Sequence, residues 1–143
     1  MNVYLDTSAV VKLVVAEDGS DLADEVWAAA DLKVASQLVY PEARAALAAA
    51  LRAGRVDLRG LRRAVADLEA LTSSMLLIGV DAALAREAGR LTEEHALRGY
   101  DAVHLATALS GADRGLLIIT WDRDLAVAAL RCGRAVVPAV AQG

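Results

Sequence analysis

Short apolar segments alternate with longer amphipathic segments along the chain, and this alternation predicts the secondary structure. Five short segments are apolar in unbroken runs instead of at every second position, so we expect strands buried on both faces over 2–5, 33–36, 75–80, 116–120 and 135–137. The segments between them carry apolar residues at helical spacing, which predicts helices over 7–15, 20–32, 40–54, 58–71, 81–97, 100–112 and 123–133. Strands that alternate with helices in this way indicate an α/β fold with a parallel sheet covered on both faces.

The length and composition of the chain indicate one globular domain. The chain has 143 residues, of which 57% are hydrophobic and 24% charged, so we expect a single folded domain over 1–143. No apolar stretch approaches the roughly 18 residues that a membrane span requires, and the N-terminus lacks the basic leader of a signal peptide. The single cysteine, Cys132, excludes an internal disulfide, and no cysteine–histidine cluster suggests zinc. We therefore expect a cytoplasmic protein without a membrane segment.

The overall charge gives no bulk attraction for nucleic acid, although the arginines are unevenly distributed. The formal net charge is −4, which argues against a protein that binds nucleic acid by overall charge. Five arginines nevertheless lie in one short region with Asp57 as the only acid between them: Arg52, Arg55, Arg59, Arg62 and Arg63. This region is either a solvated helix face or a patch that contacts phosphates, and the sequence favours neither interpretation.

Acidic residues stand where predicted strands end or predicted helices begin. Asp6 ends the first strand, Glu42 lies in the first turn of its helix, Asp101 opens another helix, and Asp122 follows the fourth strand. Because ligands of open α/β sheets bind at the carboxyl ends of the strands, Asp6 and Asp122 are expected at one site. Each residue alone is more simply explained as a helix cap, which typically contributes about 0.5–2 kcal/mol.

The combination of these carboxylates favours a metal site. Several carboxylates in one cleft repel one another, and some stay protonated unless a cation joins them. An oxygen-only set of ligands suits a hard divalent ion, either Mg²⁺ or Mn²⁺. Such an ion lowers the pKa of a water molecule and stabilises a phosphoryl group under attack. The pattern therefore predicts metal-assisted hydrolysis of a phosphodiester without a covalent enzyme intermediate.

Four segments, in their order and spacing, resemble the PIN-domain ribonucleases, and among them the VapC-type toxins of bacterial toxin–antitoxin pairs: YLDTSAVVKL, YPEARAAL, RGYDAVHLATAL and LIITWDRDLA. The resemblance extends over nearly the whole chain, from the first strand to the last helix. It implies a single-domain α/β/α sandwich around a short parallel sheet. It also implies a Mg²⁺-dependent endoribonuclease, in which water activated by the metal cleaves RNA, with Mn²⁺ as an alternative ion.

The resemblance assigns the metal and the catalysis to four carboxylates. Asp6, Glu42, Asp101 and Asp122 match the acidic quartet of the family. Asp6 and Asp101 are the expected main metal ligands. Glu42 and Asp122 are expected to complete the site, directly or through water, and to orient the attacking water.

Other residues match positions around this quartet. Ser8 and Thr120 match hydroxyl residues that line the family's pocket, although a helix cap or a hydrogen bond at a strand end explains them equally well. Asp124 matches a position that varies within the family, so the resemblance gives it no definite role. Arg98 and Arg123 are candidate contacts for RNA phosphates near the metal, and the alternative is that they are surface charges.

The sequence gives less specific predictions for the roles of the two histidines and Trp121. His104 follows Asp101 by three residues and shares its helix face. We favour a structural histidine over a catalytic base, because a metal needs no imidazole to activate water. His95 lies beside two glutamates and is expected at the surface. For Trp121 the alternatives are stacking on a base and packing at the strand end, and we favour packing.

The resemblance implies an RNA substrate, a homodimer and a cognate antitoxin. We expect the C-terminal segment of the antitoxin to lie in the acidic cleft. One of its basic residues is expected to pair with the carboxylates and block metal entry. The helix that contains LRGLRRAVADL is a candidate contact surface for protein or RNA.

Two alternative functions compete with this interpretation. A non-cutting PIN-like module that binds RNA or protein is less favoured, because the acidic quartet is intact. A protein that forms an aspartyl phosphate on a similar sheet fits poorly. A phosphatase of the haloacid-dehalogenase type needs a second aspartate where Ser8 stands, and a receiver domain needs an acidic pair where Asp6 has no acidic neighbour.

Overall fold

The structure, a computed structural model, describes residues 1–140 and contains the predicted alternation of strands and helices. The strands are β1 (Asn2–Leu5), β2 (Leu32–Ser36), β3 (Leu76–Ile78), β4 (Leu117–Ile119) and β5 (Val136–Val137). The helices are α1 (Thr7–Val14), α2 (Ser20–Ala29), α3 (Val39–Arg52), α4 (Leu58–Ser73), α5 (Ala82–His95), α6 (Gly99–Ser110) and α7 (Arg123–Arg131). The end of the predicted domain, residues 141–143, lies outside the described residues.

Differences from the predicted elements concern their ends. The helix predicted over 20–32 ends at Ala29, because Leu32 already pairs with Asn2 of β1 as the first residue of β2. The strand β3 is shorter than the apolar run that predicted it. A strand ends where its hydrogen-bonded partner ends, and hydrophobicity along the chain does not record that limit.

The strands described within residues 1–140 form one parallel sheet in the order β3-β2-β1-β4-β5. The central strand is β1, whose Tyr4 is in register with Val34 of β2 and Ile118 of β4. The chain fills one side of β1 with β2 and β3 and then crosses to the other side with β4 and β5. The carboxyl ends of β1 and β4 therefore meet where the strand order changes direction, which is where open α/β sheets bind ligands.

Helices cover both faces of the sheet and confirm the predicted α/β/α architecture. On one face, Tyr4 and Ile118 pack with Leu105 beneath α5, α6 and α7. On the other face, Val3 and Ile119 pack beneath α1, α2, α3 and α4. Neighbouring residues of β1 thus point into different layers, as the pleat of a strand requires. Over residues 1–140, no helix has the length and the apolar character needed to cross a bilayer.

The loop between α1 and α2 packs on Trp121, two residues after the end of β4. Gly19 adopts a φ of +92°, and a Cβ atom at this position would lie 2.7 Å from Nε1 of Trp121. The ammonium group of Lys12 lies 5.1 Å from the centroid of the Trp121 ring, and the Trp121 amide donates to Ser8 Oγ at 2.9 Å. These contacts favour packing at the strand end for Trp121 over stacking on a base.

We predict that Gly19→Ala destabilises the protein more than Gly54→Ala. Both glycines have positive φ, +92° and +74°, so each substitution carries a backbone cost of about 1–2 kcal/mol. An alanine Cβ would meet Trp121 at position 19, whereas at position 54 it would have no other atom within 4 Å. We therefore expect urea unfolding to show an additional loss of about 1–3 kcal/mol for Gly19→Ala. Equal losses in the two variants would mean that Trp121 moves aside at no cost.

Candidate active site

Asp6 lies at the carboxyl end of β1 and is 4% exposed. Its Oδ1 accepts hydrogen bonds from the amide of Ala9 at 3.0 Å and from the hydroxyl of Ser8 at 2.6 Å, so the side chain does cap α1. Its Oδ2 accepts a hydrogen bond from Thr120, the residue that follows β4. Asp6 can therefore cap α1 through Oδ1 and also belong to the site through Oδ2.

The ionised form of the Asp6 carboxyl group is disfavoured by its burial. Burial raises the pKa of Asp6 above its usual range, although the hydrogen bonds from Ser8, Thr120 and Ala9 oppose this effect. A nearby cation would remove this disadvantage, since an opposite charge favours the ionised carboxylate.

Thr120 connects Asp6 to Asp122. Its hydroxyl donates to Asp6 Oδ2 and accepts from the backbone amide of Asp122 at 3.0 Å. Asp122 in turn caps α7, because its Oδ1 accepts a hydrogen bond from the amide of Leu125 at 3.0 Å. The second oxygen of Asp122, Oδ2, faces the other side of the cleft and contacts Arg98.

Arg98 bridges Asp101 and Asp122 with its guanidinium group. Its Nε donates to Asp101 Oδ2 at 2.8 Å, and its Nη2 donates to Asp122 Oδ2 at 3.1 Å. The guanidinium carbon lies 4.8 Å from the ring centroid of Tyr100, and the side chain is 60% exposed. Arg98 is therefore an accessible cation that lies between two carboxylates of the predicted metal site.

The environment of Asp101 also favours a cation. Asp101 is 6% exposed in the first turn of α6. Burial raises the pKa of its carboxyl group, and the charge of Asp122 raises it further, against the effect of the bond from Arg98. The same bond raises the pKa of Arg98, which stays fully charged.

Glu42 lies in the first turn of α3 and is held by two neighbours through one oxygen. Its Oε1 accepts from the hydroxyl of Thr7 at 2.9 Å and lies 2.6 Å from Nε2 of His104. Burial raises the pKa of Glu42, but the contacts with His104 and Thr7 outweigh it, so the net pKa lies below the usual value. Within residues 1–140, Oε2 of Glu42 accepts no hydrogen bond.

His104 is 2% exposed and has both ring nitrogens engaged. Nε2 contacts Glu42 Oε1, and Nδ1 lies 2.7 Å from the hydroxyl of Tyr4. A ring held in this way does not face a substrate, which agrees with the structural histidine that we favoured. The sequence analysis missed Tyr4 and Thr7, although a tyrosine inside a buried strand signals a hydroxyl that needs a partner.

The remaining predicted residues differ in how closely they join this site. Ser8 and Thr120 both bind Asp6. Arg123 and Asp124 are exposed in the first turn of α7, and neither side chain forms a hydrogen bond or an ion pair with another residue of 1–140. They flank the cleft without contributing to its internal contacts.

The clustered arginines lie at the turn from α3 to α4, away from the carboxylates. All are exposed: Arg52, Arg55, Arg59, Arg62 and Arg63. Arg52 ends the helix that carries Glu42 in its first turn, and ten residues of helix correspond to about 15 Å. Whether this patch contacts phosphates stays a prediction.

The prediction that His95 is a surface residue was wrong. Its side chain is only 7% exposed, and its Nε2 lies 3.5 Å from Sγ of Cys132. The last turn of α5 packs against the end of α7, a contact that the neighbouring glutamates in the sequence could not reveal. The Nδ1 atom is buried without a hydrogen-bond partner among the described residues.

The carboxylate oxygens are ligands of the type that a hard divalent ion prefers, although they do not form a complete coordination sphere. No three acidic, histidine or cysteine side chains of residues 1–140 already converge closely enough to hold a metal. Asp6 and Asp101 nevertheless have raised pKa values through burial, and Arg98 lies between Asp101 and Asp122. The residues therefore fit a metal on the condition that Arg98 moves away from the carboxylates.

Comparisons with known proteins agree on the family. A family model described as PIN domain matches residues 3–130. The chain is 44% identical over 137 residues to Ribonuclease VapC45 of Mycobacterium tuberculosis (strain CDC 1551 / Oshkosh), covering 96% of this chain and 95% of the relative. The crystal structure of PAE2754 from Pyrobaculum aerophilum superposes with a TM-score of 0.71 at 26% identity, over 96% of this chain and 84% of that one. A toxin–antitoxin complex from Klebsiella pneumoniae gives a TM-score of 0.63 at 21% identity, over 87% of this chain and 91% of that one.

We predict that Asp6→Asn stabilises the metal-free protein at neutral pH and not at acid pH. Because burial raises the pKa of Asp6, the folded chain holds its proton more tightly than the unfolded chain does. The stability that this proton provides is present at low pH and is lost as the pH rises through the folded-state pKa. In urea unfolding with EDTA, we expect the variant to have a larger free energy of unfolding than the wild type near pH 8, and we expect little difference near pH 4.

The control for this comparison is Asp67→Asn, which removes an exposed charge from α4. It should change the free energy of unfolding by less than about 0.5 kcal/mol at either pH. A variant Asp6→Asn that is less stable than the wild type near pH 8 would contradict the prediction.

Proposed function

The chain belongs to the PIN-domain family and, within it, to the VapC ribonucleases, and we propose that it is the RNA-cleaving toxin of a toxin–antitoxin pair. The observation that carries this proposal is the arrangement of carboxylates at the carboxyl edge of the sheet. Asp6, Asp122 and Asp101 are joined in one chain of contacts through Thr120 and Arg98. His104 holds the fourth carboxylate, Glu42, from the turn of α6 that follows Asp101.

PIN-domain nucleases generally depend on a divalent metal, and we infer that this protein uses Mg²⁺, with Mn²⁺ as a substitute. Asp6 and Asp101 are the proposed main ligands, and Glu42 and Asp122 complete the site. The bound ion would lower the pKa of a water molecule and offset the charge of the phosphate under attack. The raised pKa values of Asp6 and Asp101 support this assignment, because both carboxylates gain from a nearby cation.

We propose that Arg98 changes its binding partners from the two carboxylates to an RNA phosphate. Its guanidinium group donates to Asp101 and Asp122 and offsets their charges. Arginine binds phosphate with the same planar set of donors that it uses for carboxylate. Once its carboxylate partners have another cation, Arg98 is available for an RNA phosphate. Arg123, exposed beside Asp122, is the second proposed RNA contact.

An antitoxin is the proposed protein partner, in line with the solved toxin–antitoxin complex that shares this fold. The acidic cleft suits a basic residue from that partner, and the bridge from Arg98 to two carboxylates is an internal example of such a contact. A basic residue in this position would compete with the metal for the carboxylates. Assembly as a homodimer and location in the cytoplasm remain predictions.

We predict that the purified protein cuts total cellular RNA into discrete fragments only when Mg²⁺ or Mn²⁺ is added. Asp101→Asn removes one charge at nearly constant shape and should lower the cleavage rate by about 100-fold or more, because it removes a proposed metal ligand. Asp67→Asn, which alters an exposed residue of α4, is the matched control and should cut like the wild type. Absence of cleavage by the wild type would favour a non-cutting binding module. Cleavage by Asp101→Asn at the wild-type rate would mean that the catalytic site lies elsewhere.

We predict that Arg98→Ala tightens the binding of Mn²⁺ in the absence of RNA. Removing the guanidinium group takes away the cation that competes for Asp101 and Asp122, so we expect about fivefold higher affinity, equivalent to roughly 1 kcal/mol. Electron paramagnetic resonance of free Mn²⁺ measures this directly. Arg86→Ala removes an exposed arginine of α5 and should leave the affinity unchanged. An unchanged or weaker affinity in Arg98→Ala would show that Arg98 does not compete with the metal.

A further inference from the structure

A buried line of polar contacts leads from the centre of the sheet to the cleft. The hydroxyl of Tyr4 lies 2.7 Å from Nδ1 of His104, and Nε2 of His104 lies 2.6 Å from Oε1 of Glu42. Tyr4 is fully buried and His104 is 2% exposed, whereas the side chain of Glu42 is 26% exposed. The line therefore begins in the core and ends at a carboxylate that solvent reaches.

The direction of the hydrogen bonds follows from the charge of Glu42. An ionised carboxylate only accepts hydrogen bonds, and Oε1 of Glu42 already accepts from the hydroxyl of Thr7, so Nε2 of His104 carries the hydrogen. In the neutral ring, Nδ1 is then the acceptor, and the hydroxyl of Tyr4 donates to it. A phenol is protonated at neutral pH, so this hydroxyl has a hydrogen to donate. One arrangement of hydrogens thus satisfies the whole line.

Packing leaves the histidine ring little freedom to turn. Tyr4 lies in the central strand, in register with strands on both sides. Its ring meets the ring of His104 edge-on, with centroids 6.1 Å apart and an interplanar angle of 71°. Rotation of the imidazole would break the contact with Tyr4 and leave a buried hydroxyl without its partner, which is costly.

The result at Glu42 is that its two oxygens are not equivalent. Both donors, His104 and the hydroxyl of Thr7, bind Oε1. Oε2 accepts no hydrogen bond from the residues of 1–140. A glutamate side chain otherwise samples many rotamers, so holding Oε1 also limits where Oε2 lies.

We propose that His104 is a positioning residue that, oriented by Tyr4, fixes Oε1 of Glu42 so that Oε2 is the oxygen presented to the cleft. The inference rests on the proposed ribonuclease function, because it assigns Glu42 to the catalytic site. A histidine that served packing alone would need no carboxylate partner, since apolar residues fill such space at lower desolvation cost.

Two substitutions of the same residue separate positioning from packing. In His104→Gln the side-chain amide reaches about as far as Nε2 and still donates to Glu42. In His104→Asn it reaches only about as far as Nδ1, so it keeps a partner for Tyr4 and loses the bond to Glu42. Both remove the imidazole and leave a neutral amide, so their thermal midpoints serve as a control for general destabilisation.

We expect His104→Asn to lower kcat about 10–100-fold while KM for RNA stays within about twofold, and to weaken Mn²⁺ binding measured without RNA. His104→Gln should keep kcat within about threefold of the wild type, although its thermal midpoint falls to a similar extent. Equal kcat and equal Mn²⁺ affinity in the two variants would overturn the positioning role.

The readouts also separate failure of this inference from failure of the proposed function. If the wild type cuts no RNA, the function fails, and Mn²⁺ affinity alone decides whether His104 positions Glu42. A weaker affinity in His104→Asn but not in His104→Gln would then support the positioning role, and equal affinities would refute it. Nitrogen NMR of the His104 ring gives an independent check, because a wild-type ring without hydrogen on Nε2 is incompatible with the proposed line.

Discussion

The buried carboxylate of Asp6, at the end of the central strand, is the constraint on which the structure of the cleft depends. Asp6 is exposed by only 4%, and its oxygens bind the first turn of α1 and the residue after β4. These bonds connect two strands at their carboxyl ends and carry the connection on to Asp122. They do not remove the cost of the buried charge, since the pKa of Asp6 remains raised. The ionised form of Asp6 therefore stays unfavourable, and this supports the proposal that a cation binds at this edge of the sheet.

The two sides of the cleft respond to this constraint in different ways. On the side of Asp101 and Asp122, the compensating group is an exposed arginine, and a metal ion is the cation proposed to replace it. On the side of Glu42, the partners are a buried imidazole and a hydroxyl that hold one oxygen in place. An exchangeable side and a fixed side suit a site that must admit an ion and still keep a defined geometry.

The fold class and the positions of the acidic residues could be predicted from sequence because they depend on local signals. Unbroken apolar runs marked the strands, Asp6 followed directly after the first of them, and Asp122 lay two residues beyond the fourth. The contacts of Arg98, the burial of His95 and the line from Tyr4 depend on helices that are distant in sequence and pack together only in the fold. His104 illustrates the limit, because its spacing from Asp101 identified a shared face but not the strand residue beneath it. Family resemblance, and not spacing, supplied the roles of the four carboxylates.

Tyr4 connects the hydrophobic core to the cleft. Its ring packs with Ile118 and Leu105, and its hydroxyl contacts the histidine that holds Glu42. Protein interiors are densely packed, so a change in the volume of one of these apolar side chains shifts its neighbours. On the proposed role of His104, such a shift would reach Glu42 through the contacts of the phenol and the imidazole. On the same proposal, the packing of the core beneath α6 sets the position of Glu42 as well as the stability of the sheet.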